Sequence, residues 1–350
     1  MLLTAGVVLV DFFLFSMLPA DPARAMLGQR ADNASMQVIN HDFALDQPGY
    51  ARFLIYLNDL LPVSVYNRKV KESPIYLDPA KYKNAVKMFY MGDDKTVVFK
   101  SPYLRRSYHS KEDVYNLLKA RFSETGILVI AAIALASLLG VLLGIVSALR
   151  RNSWIGKAIT LISWLGLSLP TFFIAIFFAW LLGFVLREYT GLNMTGGLFS
   201  IDPFQGEYVN WKNLILPAFV LSLRPMAFII QRSRRLFLDV MSRPYILTAK
   251  AKGVRRSMLI INHAWLNTSA PMILDSGRWL GSLLAGTVFV EFVFGWNGIG
   301  KLTANAIDQA DMPVLMGAVL FIAVFYILLK TFSEILYSTL DPRIDMKQSL

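Results

Sequence analysis

Three long runs without a charged residue set the first expectation for this chain. They cover residues 125–149, 158–186 and 312–329. A helix needs about 20 apolar residues to cross the hydrocarbon core of a bilayer. Each run is therefore predicted to be a membrane-spanning helix, because three buried helices of this kind are unusual in one soluble protein.

Two further apolar stretches are interrupted by charge. Residues 213–231 contain Arg224, and residues 264–290 contain Asp275 and Arg278. Charged side chains within spans usually face a bundle interior or a cavity, and residues three apart share a helix face. Both stretches are predicted to be spans, and their charges either line a substrate path or form a structural ion pair.

A sixth candidate span lies at the start of the chain. Residues 1–18 are apolar apart from Asp11. The alternative is a signal peptide, since Ala-Arg-Ala at 23–25 resembles a cleavage site, but the basic region that should precede the apolar core is missing. A true first span is the favoured prediction, and the abrupt start leaves open a few further residues before Met1.

Loops rich in basic residues orient the predicted spans. Residues 150–157 contain three basic residues and no acid, and residues 232–256 contain eight basic residues and one acid. Loops of this kind stay in the cytoplasm. Six spans then place both termini in the cytoplasm and leave three external segments, at about 20–122, 187–211 and 295–311.

The predicted fold is an all-α polytopic membrane protein with six transmembrane helices. Residues 1–19 form the first helix, 20–122 the external segment, 123–340 the transmembrane core, and 341–350 a cytoplasmic tail. A structureless loop as long as the external segment is uncommon, so a small subdomain is expected there. Its residues 96–99, Thr-Val-Val-Phe, fit a short strand.

The composition agrees with a membrane protein and excludes several other kinds of site. Hydrophobic residues make up 55% of the chain and charged residues 17%, against about a quarter charged in soluble domains. The absence of cysteine excludes disulfides and thiolate metal sites. Three scattered histidines predict no metal site, and cytoplasmic loops explain the net charge of +11 without nucleic acid.

The predicted cytoplasmic loop 232–268 contains the most informative segment, RPYILTAKAKGVRR. Pro244 suits a first helical turn, and Gly253 suits a helix end. Ile246, Ala249 and Gly253 recur at helical spacing, which predicts a face of small residues that another protein can approach closely. The basic charges alone also fit a helix attracted to anionic lipid.

This segment resembles the cytoplasmic loop of the permease subunits of binding-protein-dependent ABC importers, specifically the first permease of dipeptide and oligopeptide systems. The family pattern Tyr-x-x-Thr-Ala-Arg-Ala-Lys-Gly-Leu, followed by His-Ala, Asn and Pro, is matched in register by Tyr245, Thr248, Ala249, Lys250, Ala251, Lys252, Gly253, His263, Ala264, Asn267 and Pro271. Leu247 departs from the pattern where a charged residue is usual, and Pro244 where Asp is usual.

The resemblance continues along most of the chain. The segments LPADP at 18–22, LDQP at 45–48, EFVFGWNGIG at 291–300 and DPR at 341–343 match family segments in the same order. The fold that the resemblance implies is the type I ABC importer permease fold. Residues 63–100 are predicted to be an insertion in the long external segment between helices 1 and 2.

The resemblance also implies a function and its partners. A second permease subunit completes the translocation path, and two ABC ATPase subunits dock on short coupling helices, here at about 244–256. An extracytoplasmic substrate-binding protein delivers the substrate, for which peptides are the family default and nickel and glutathione are alternatives. The residues implied to contact an ATPase are Tyr245, Thr248, Ala249, Lys250, Ala251, Lys252 and Gly253.

No catalytic site and no cofactor are expected in this chain, because the resemblance implies that ATP is used by the partner ATPase subunits. Residues 295–301 do imitate the start of a phosphate-binding loop, but Leu302 stands where Ser or Thr must hold magnesium. These glycines are predicted to form a tight external turn instead. The resemblance implies a multi-pass protein of the bacterial cytoplasmic membrane, surrounded by lipid.

An ion-coupled secondary transporter or a channel is the alternative to an ATP-driven importer. Neither would need an ATPase partner. Secondary transporters often contain inverted repeats and broken helices at mid-membrane. The sequence shows no such internal symmetry, so the importer subunit is the favoured prediction.

Overall fold

A computed structural model describes residues 2–17, 47–70, 73, 75–79, 81–82, 85–202, 206–265, 268, 283 and 286–340. The chain divides into two compact units. The first unit consists of Met1–Ala120 together with Asn305–Ala323, and the second of Arg121–Ala304 together with Val324–Leu350.

The first unit contains two helices and a small antiparallel sheet. Helix α1 spans Leu2–Met17 and helix α2 spans Gly49–Leu60. The strands are β1 (Val63–Asn67), β2 (Val86–Met91) and β3 (Lys95–Phe99). Strand β3 lies in the middle, so that the order across the sheet is β1-β3-β2.

The sheet corrects the expectation of an all-α fold. The described chain is mostly helical, and the stretch at 96–99 that was predicted as a strand lies within β3. Val97 and Val98 are buried, as β-branched residues in the central strand of a sheet commonly are. Gly92, with φ of 72°, lies in the turn that joins β2 to β3, where its lack of a Cβ makes this backbone conformation inexpensive.

Asp11, the charge in the predicted first span, has a partner within the first unit. The Tyr56 hydroxyl of α2 donates to its carboxylate at 2.6 Å, and both side chains are buried. Tyr56 also packs with Met316 and Leu320. Because a buried polar group without a hydrogen bond is costly, this contact explains how α1 tolerates an acid among apolar residues.

The remaining elements follow in chain order. They are α3 (Val114–Leu149), α4 (Trp154–Ser168), α5 (Thr171–Trp180) with a π-helical turn (Leu181–Val185), α6 (Arg187–Thr190), β4 (Phe199–Asp202), β5 (Gly206–Val209), α7 (Lys212–Ser242), α8 (Pro244–Ala251), α9 (Arg256–Met258) with a second π-helical turn (Leu259–Trp265), α10 (286–294), α11 (Ile299–Asp308) and α12 (Met312–Leu340). Strands β4 and β5 pair as an antiparallel hairpin, which the sequence analysis did not predict.

Three of these helices are long and apolar enough to cross a membrane: α3, α7 and α12. They coincide with three of the predicted spans. Helix α1 covers 16 residues, and residues 18–46, which follow it, lie outside the described part of the chain. Most of the predicted span at 264–290 lies outside the described residues, so the count of six spans stays a prediction.

The predicted span at 158–186 forms two helices instead of one. Helix α4 and the segment Thr171–Val185 meet at an angle of 113°. Leu169, between them, has extended backbone dihedrals (φ −78°, ψ 138°) and precedes Pro170. A proline disfavours helical geometry in the residue before it and offers no N–H to the preceding turn, so the pair makes a broken span or a re-entrant loop.

Two glycines of α3 allow α7 to approach closely in the second unit. A Cβ on Gly140 would lie 2.8 Å from Cγ2 of Ile229, and a Cβ on Gly144 would lie 2.6 Å from Cβ of Ser233. Small residues four apart are a common device for close helix contacts in membranes. They bring α3 and α7 together, and the ends of these helices support the segment considered next.

Candidate functional site

Helix α8 begins at a sharp break after α7. Arg243 is extended (φ −71°, ψ 147°), and Pro244 is the first helical residue, as predicted. Proline fits this position because its missing N–H would have no partner in the first turn. The Arg243 guanidinium is 3.0 Å from the Asp239 carboxylate, one helical turn earlier in α7.

Ile246 anchors α8 to the rest of the second unit. Its side chain is 1% exposed and packs with Ala148 at the end of α3 and with Phe237 and Val240 near the end of α7. The prediction that Ile246, Ala249 and Gly253 form one open face is therefore wrong for Ile246. The reason is tertiary: Ile246 packs against the ends of α3 and α7, whereas Leu247, an aliphatic side chain of the same size, stays exposed.

The remaining face of α8 is open. Tyr245 is 41% exposed and Leu247 is 54% exposed, while Thr248 and Lys250 are also exposed and Ala249 is half-buried. The Thr248 hydroxyl is turned back onto the helix, where it donates to the Pro244 carbonyl at 3.0 Å. This face therefore presents exposed apolar area as well as charge, and the exposed Leu247 lies at the position where the family pattern has a charged residue.

Gly253 closes α8 with a glycine-dependent cap, as predicted. Its N–H donates to the Lys250 carbonyl at 3.0 Å, and the Val254 N–H donates to the Ala249 carbonyl at 3.2 Å. These two bonds form a Schellman motif, which requires a left-handed residue. Gly253 has φ of 81°, and a Cβ built on it would meet no atom within 4 Å. The left-handed backbone conformation therefore favours glycine at this position, whereas the space around it would admit a side chain.

The surface around α8 is strongly basic. From residue 240 to residue 265 the sequence contains no Asp or Glu, and its five basic residues are Arg243, Lys250, Lys252, Arg255 and Arg256. Ala251, Lys252 and Gly253 are exposed. A partner that covers this surface would be favoured by acidic side chains at its edge.

The family positions that follow α8 are only partly within the described residues. His263 and Ala264 lie in the π-helical turn Leu259–Trp265. Asn267 and Pro271 lie outside the described residues.

Of the three charged residues predicted within the membrane, the structure describes one, Arg224. Arg224 lies in α7 with an exposed side chain, and it forms no ion pair within the described part of the chain. Asp275 and Arg278 lie outside that part. The role of the three charges therefore stays a prediction.

The glycine-rich segment after α10 is built around a carboxylate of this chain. Glu291 is fully buried and accepts hydrogen bonds from the Thr125 hydroxyl at 2.8 Å and from the Lys301 N–H at 3.1 Å. The Thr125 hydroxyl in turn accepts from the Ile299 N–H at 2.8 Å. The first turn of α11 therefore donates to a carboxyl group of the protein itself.

Gly298 and Gly300 make this arrangement possible. A Cβ on Gly298 would overlap the Glu291 carboxylate and the Thr125 hydroxyl, and a Cβ on Gly300 would lie 2.6 Å from Cα of Val288. The tight turn predicted for these glycines is present, with Gly295 at φ of 67°. The sequence did not predict that this turn packs around Glu291, because a single acid beside an apolar run gives no local signal of what it contacts.

Comparison with known proteins identifies a family for most of the chain. Residues 140–346 match the model of the binding-protein-dependent transport system inner membrane component, and residues 1–76 match the model of the N-terminal part of such membrane components. The glutathione transport system permease protein GsiC of Pectobacterium atrosepticum is 30% identical over 349 residues, which is 98% of this chain and 95% of that protein.

Two other relatives have names that refer to peptides. The dipeptide transport system permease protein DppB of Alkalihalophilus pseudofirmus is 28% identical over 97% of this chain and 94% of its own length. The oligopeptide transport system permease protein AppB of Bacillus subtilis is 28% identical, with the same coverage of both chains.

A solved structure shares the fold. It is a chain of the inward-facing methionine ABC transporter MetNI, with a TM-score of 0.53 and 12% sequence identity. The match covers 65% of this chain and 97% of that chain. This likeness concerns the fold alone.

Proposed function

The chain belongs to the family of binding-protein-dependent transport system inner membrane components, the permease subunits of ABC importers. On this premise we propose that α8 is the coupling helix, which transmits the movement of an ATPase subunit to the permease. The chain forms the translocation path together with a second permease subunit. ATP is hydrolysed by two cytoplasmic ATPase subunits, one of which docks on α8. The permease itself needs no cofactor and has no ATPase site of its own.

The observation that carries this proposal is the construction of α8. One side is fixed by Ile246 to the ends of α3 and α7, and the other side exposes Tyr245 and Leu247 among basic residues. A rigid element with an open apolar and basic face suits a docking contact that must transmit force. Movement of a docked ATPase would be passed through Ile246 to two helices that are long enough to span the membrane.

We propose peptides as the substrate class. The support comes from relatives whose names refer to dipeptides and oligopeptides and which match this chain over nearly its full length. Arg224, Asp275 and Arg278 are proposed as a group within the membrane. They either line the path and attract a substrate carboxylate, or form a structural ion pair.

We propose six spans with both termini in the cytoplasm, in a bacterial cytoplasmic membrane. The acid-poor loops at 150–157 and 232–256 support this orientation. The first unit's sheet then belongs to the external segment at 20–122, on the side from which a substrate-binding protein delivers its ligand.

The coupling role is tested by two substitutions at Gly253. Gly253→Val should fail to adopt the left-handed cap, at a cost of about 1–2 kcal/mol, and should weaken ATPase docking by about 5–30-fold. Gly253→Asn is the matched control, because Asn tolerates this backbone region and a side chain there meets no neighbour. The measurements are the affinity of the ATPase subunits for the permease in nanodiscs and ATP-driven uptake in proteoliposomes.

The two variants give distinguishable outcomes. The proposal expects Gly253→Asn to dock and transport nearly as the natural chain does, while Gly253→Val docks about 5–30-fold more weakly and takes up less substrate. If Gly253→Val docks ATPase normally and supports normal uptake, α8 is not the coupling element.

A further inference from the structure

One face of the three-stranded sheet in the first unit is apolar and open. Residues that lie opposite one another in antiparallel strands have their side chains on the same face. The register gives this face three rows across β1, β3 and β2: Val63, Phe99 and Val86; Val65, Val97 and Phe89; and Asn67, Lys95 and Met91. We call these nine residues the outer face. Its most exposed apolar side chains are Val63 (50%), Phe99 (53%), Phe89 (58%), Met91 (59%) and Val86 (63%).

The opposite face of the sheet is packed against α2. Ser64 and Tyr66 are at most 2% exposed. The Ser64 hydroxyl donates to the Asn58 carbonyl at 2.7 Å, and the Tyr66 hydroxyl donates to the Asp59 carboxylate at 3.3 Å. An antiparallel sheet with one face on the core commonly has polar residues on the other. The apolar outer face departs from that rule, and exposed apolar patches commonly mark contact with a protein or a membrane.

The sheet lies close to a helix that is expected to cross the membrane. Tyr56 of α2 packs with Met316 and Leu320 in the first turns of α12, which is long and apolar enough for a span. Helix α2 ends at Leu60 and β1 begins at Val63. The Cα atom of Val63 therefore lies no more than about 17 Å from that of Tyr56. The outer face is within reach of the bilayer surface at which α12 begins.

The charges around the outer face are mainly positive. Lys95 lies on this face and Lys87 lies in β2, and both are exposed and form no ion pair within the described part of the chain. Of the two acids in the turn between β2 and β3, Asp94 is 3.0 Å from the Lys69 ammonium. Residues 63–100 contain eight basic residues and four acids. Such an excess favours an anionic surface as the partner.

The side chains of the outer face suit lipid better than a protein. Its apolar members are valine, phenylalanine and methionine, and it contains no tyrosine, tryptophan or arginine. Those three residue types most often anchor a protein partner. Apolar side chains beside lysines instead resemble the segments that lie in the boundary between headgroups and acyl chains.

We propose that the outer face of this sheet rests on the surface of an anionic phospholipid bilayer. Phe89 and Met91 reach the boundary of the acyl chains, and Lys87 and Lys95 lie near lipid phosphate groups. This contact holds the external segment beside α12. It is independent of the coupling role of α8, since it is built from other residues.

The test measures contact between single labelled positions and lipid. The chain contains no cysteine, so Phe89→Cys and Met91→Cys each create one site for a bimane label. Each labelled permease is assembled with its importer, without substrate-binding protein, in nanodiscs of equal parts phosphatidylglycerol and phosphatidylcholine. The proposal expects lipids with brominated acyl chains to lower the fluorescence of both labels, because bromine quenches bimane only at short range.

Tyr90→Cys is the matched control within the same strand. Tyr90 is 60% exposed, as Phe89 is 58% exposed, but the register places it on the opposite face of the sheet. Its label should lose no fluorescence to brominated lipid and should be quenched by iodide in the water.

The charge requirement is tested with the label at position 89. Lys95→Gln should reduce quenching by brominated lipid in nanodiscs that contain phosphatidylglycerol, and so should removal of phosphatidylglycerol, because the attraction to anionic headgroups is lost. Lys212→Gln is the control, because it removes the same charge from an exposed residue of the second unit. That variant should leave the quenching unchanged.

Four results would overturn the proposal. Labels at 89 and 91 that brominated lipid does not quench, or a label at 90 that it quenches equally, would show that the outer face does not touch lipid. Labels at 89 and 91 shielded from both bromine and iodide would indicate a protein cover instead. Quenching at 89 that ignores both Lys95→Gln and phosphatidylglycerol would contradict an anionic partner. None of these results bears on ATPase docking at α8.

Discussion

Single residues explain features of this chain that motif matching leaves open. The glycine-rich segment after α10 matches the permease family, but the match alone gives no reason for its glycines. The structure supplies the reason at Gly298, which lies against the carboxylate of Glu291 and the hydroxyl of Thr125. The turn is built to hold a buried acid at the start of α11, and this acid links α3, α10 and α11 within the second unit.

Gly298→Ala should destabilise the second unit. The added methyl group would overlap the Glu291 carboxylate or force the Thr125 hydroxyl away from it. Overpacking of this kind costs about 1–3 kcal/mol, which should lower the melting temperature of the purified chain by at least about 2 °C. Differential scanning fluorimetry in detergent provides the measurement.

Gly286→Ala is the control for that prediction. It adds the same methyl group in α10, where the nearest atom would be Cδ1 of Leu221 at an ordinary 3.6 Å. Its melting temperature should stay at or above that of the natural chain, since alanine favours a helix over glycine. Equal melting temperatures for Gly298→Ala and Gly286→Ala would mean that the turn around Glu291 is looser than described.

Local backbone requirements were predictable from the sequence, whereas tertiary contacts were not. Pro244 and Gly253 were assigned correctly because the first turn of a helix and its left-handed cap depend on a few adjacent residues. Ile246 was assigned to the wrong face because its partners come from α3 and α7, far away in the sequence. The same limit explains why Glu291 was missed.

At the scale of elements, the contact between α3 and α7 determines how α8 is supported. Gly140 and Gly144 lie four apart in an apolar run, a spacing that could have indicated a close helix contact from the sequence alone. Met226, Ile229 and Ile230 of α7 pack in the cluster beside them. The α7 helix therefore rests directly on the backbone of α3.

Gly144→Val should separate α3 from α7 and uncouple transport. A Cβ there would lie 2.6 Å from Cβ of Ser233 and 2.8 Å from the Ile230 carbonyl oxygen, so backbone must move. The expected cost is about 1–3 kcal/mol, measured as a lower melting temperature, with reduced ATP-driven uptake in the assembled importer.

Gly126→Ala provides the control within the same helix. A Cβ on Gly126 would meet nothing within 4 Å, so this variant should keep the natural melting temperature and uptake. A Gly144→Val chain that is as stable and as active as the Gly126→Ala chain would contradict the close contact of the two helices.

Hydropathy located the long helices well but did not determine their shape. The spans at α3, α7 and α12 were predicted because about 20 apolar residues are sufficient evidence for a membrane helix. The bend of 113° within 158–186 depends on Pro170, which a hydropathy run does not weigh. The β4–β5 hairpin was missed because its two four-residue strands are too short for a clear alternating pattern.

At the scale of the whole molecule, the family match identifies a permease subunit of ABC importers. The family match extends over residues 140–346, and a methionine ABC transporter chain shares the fold. The sequence motifs predicted this assignment because several of them occur in order along the chain. The docking of an ATPase on α8 is the proposal on which the function of this chain depends.

Because the chain contains no cysteine, the docking of an ATPase on α8 can be tested by site-specific cross-linking. A single Leu247→Cys substitution creates a unique site on the exposed face of α8. The variant is labelled with a maleimide that carries a photoreactive group, in membranes that contain the assembled importer. Tyr189→Cys is the matched control, because Tyr189 is 87% exposed and lies in a predicted external segment.

The decisive measurement is the mass of the product formed on illumination. If an ATPase docks on α8, position 247 gives a covalent product of the permease with an ATPase subunit and position 189 gives none. An assembled importer that gives no ATPase product from position 247, or equal amounts from both positions, would contradict the assignment of α8 as the coupling helix.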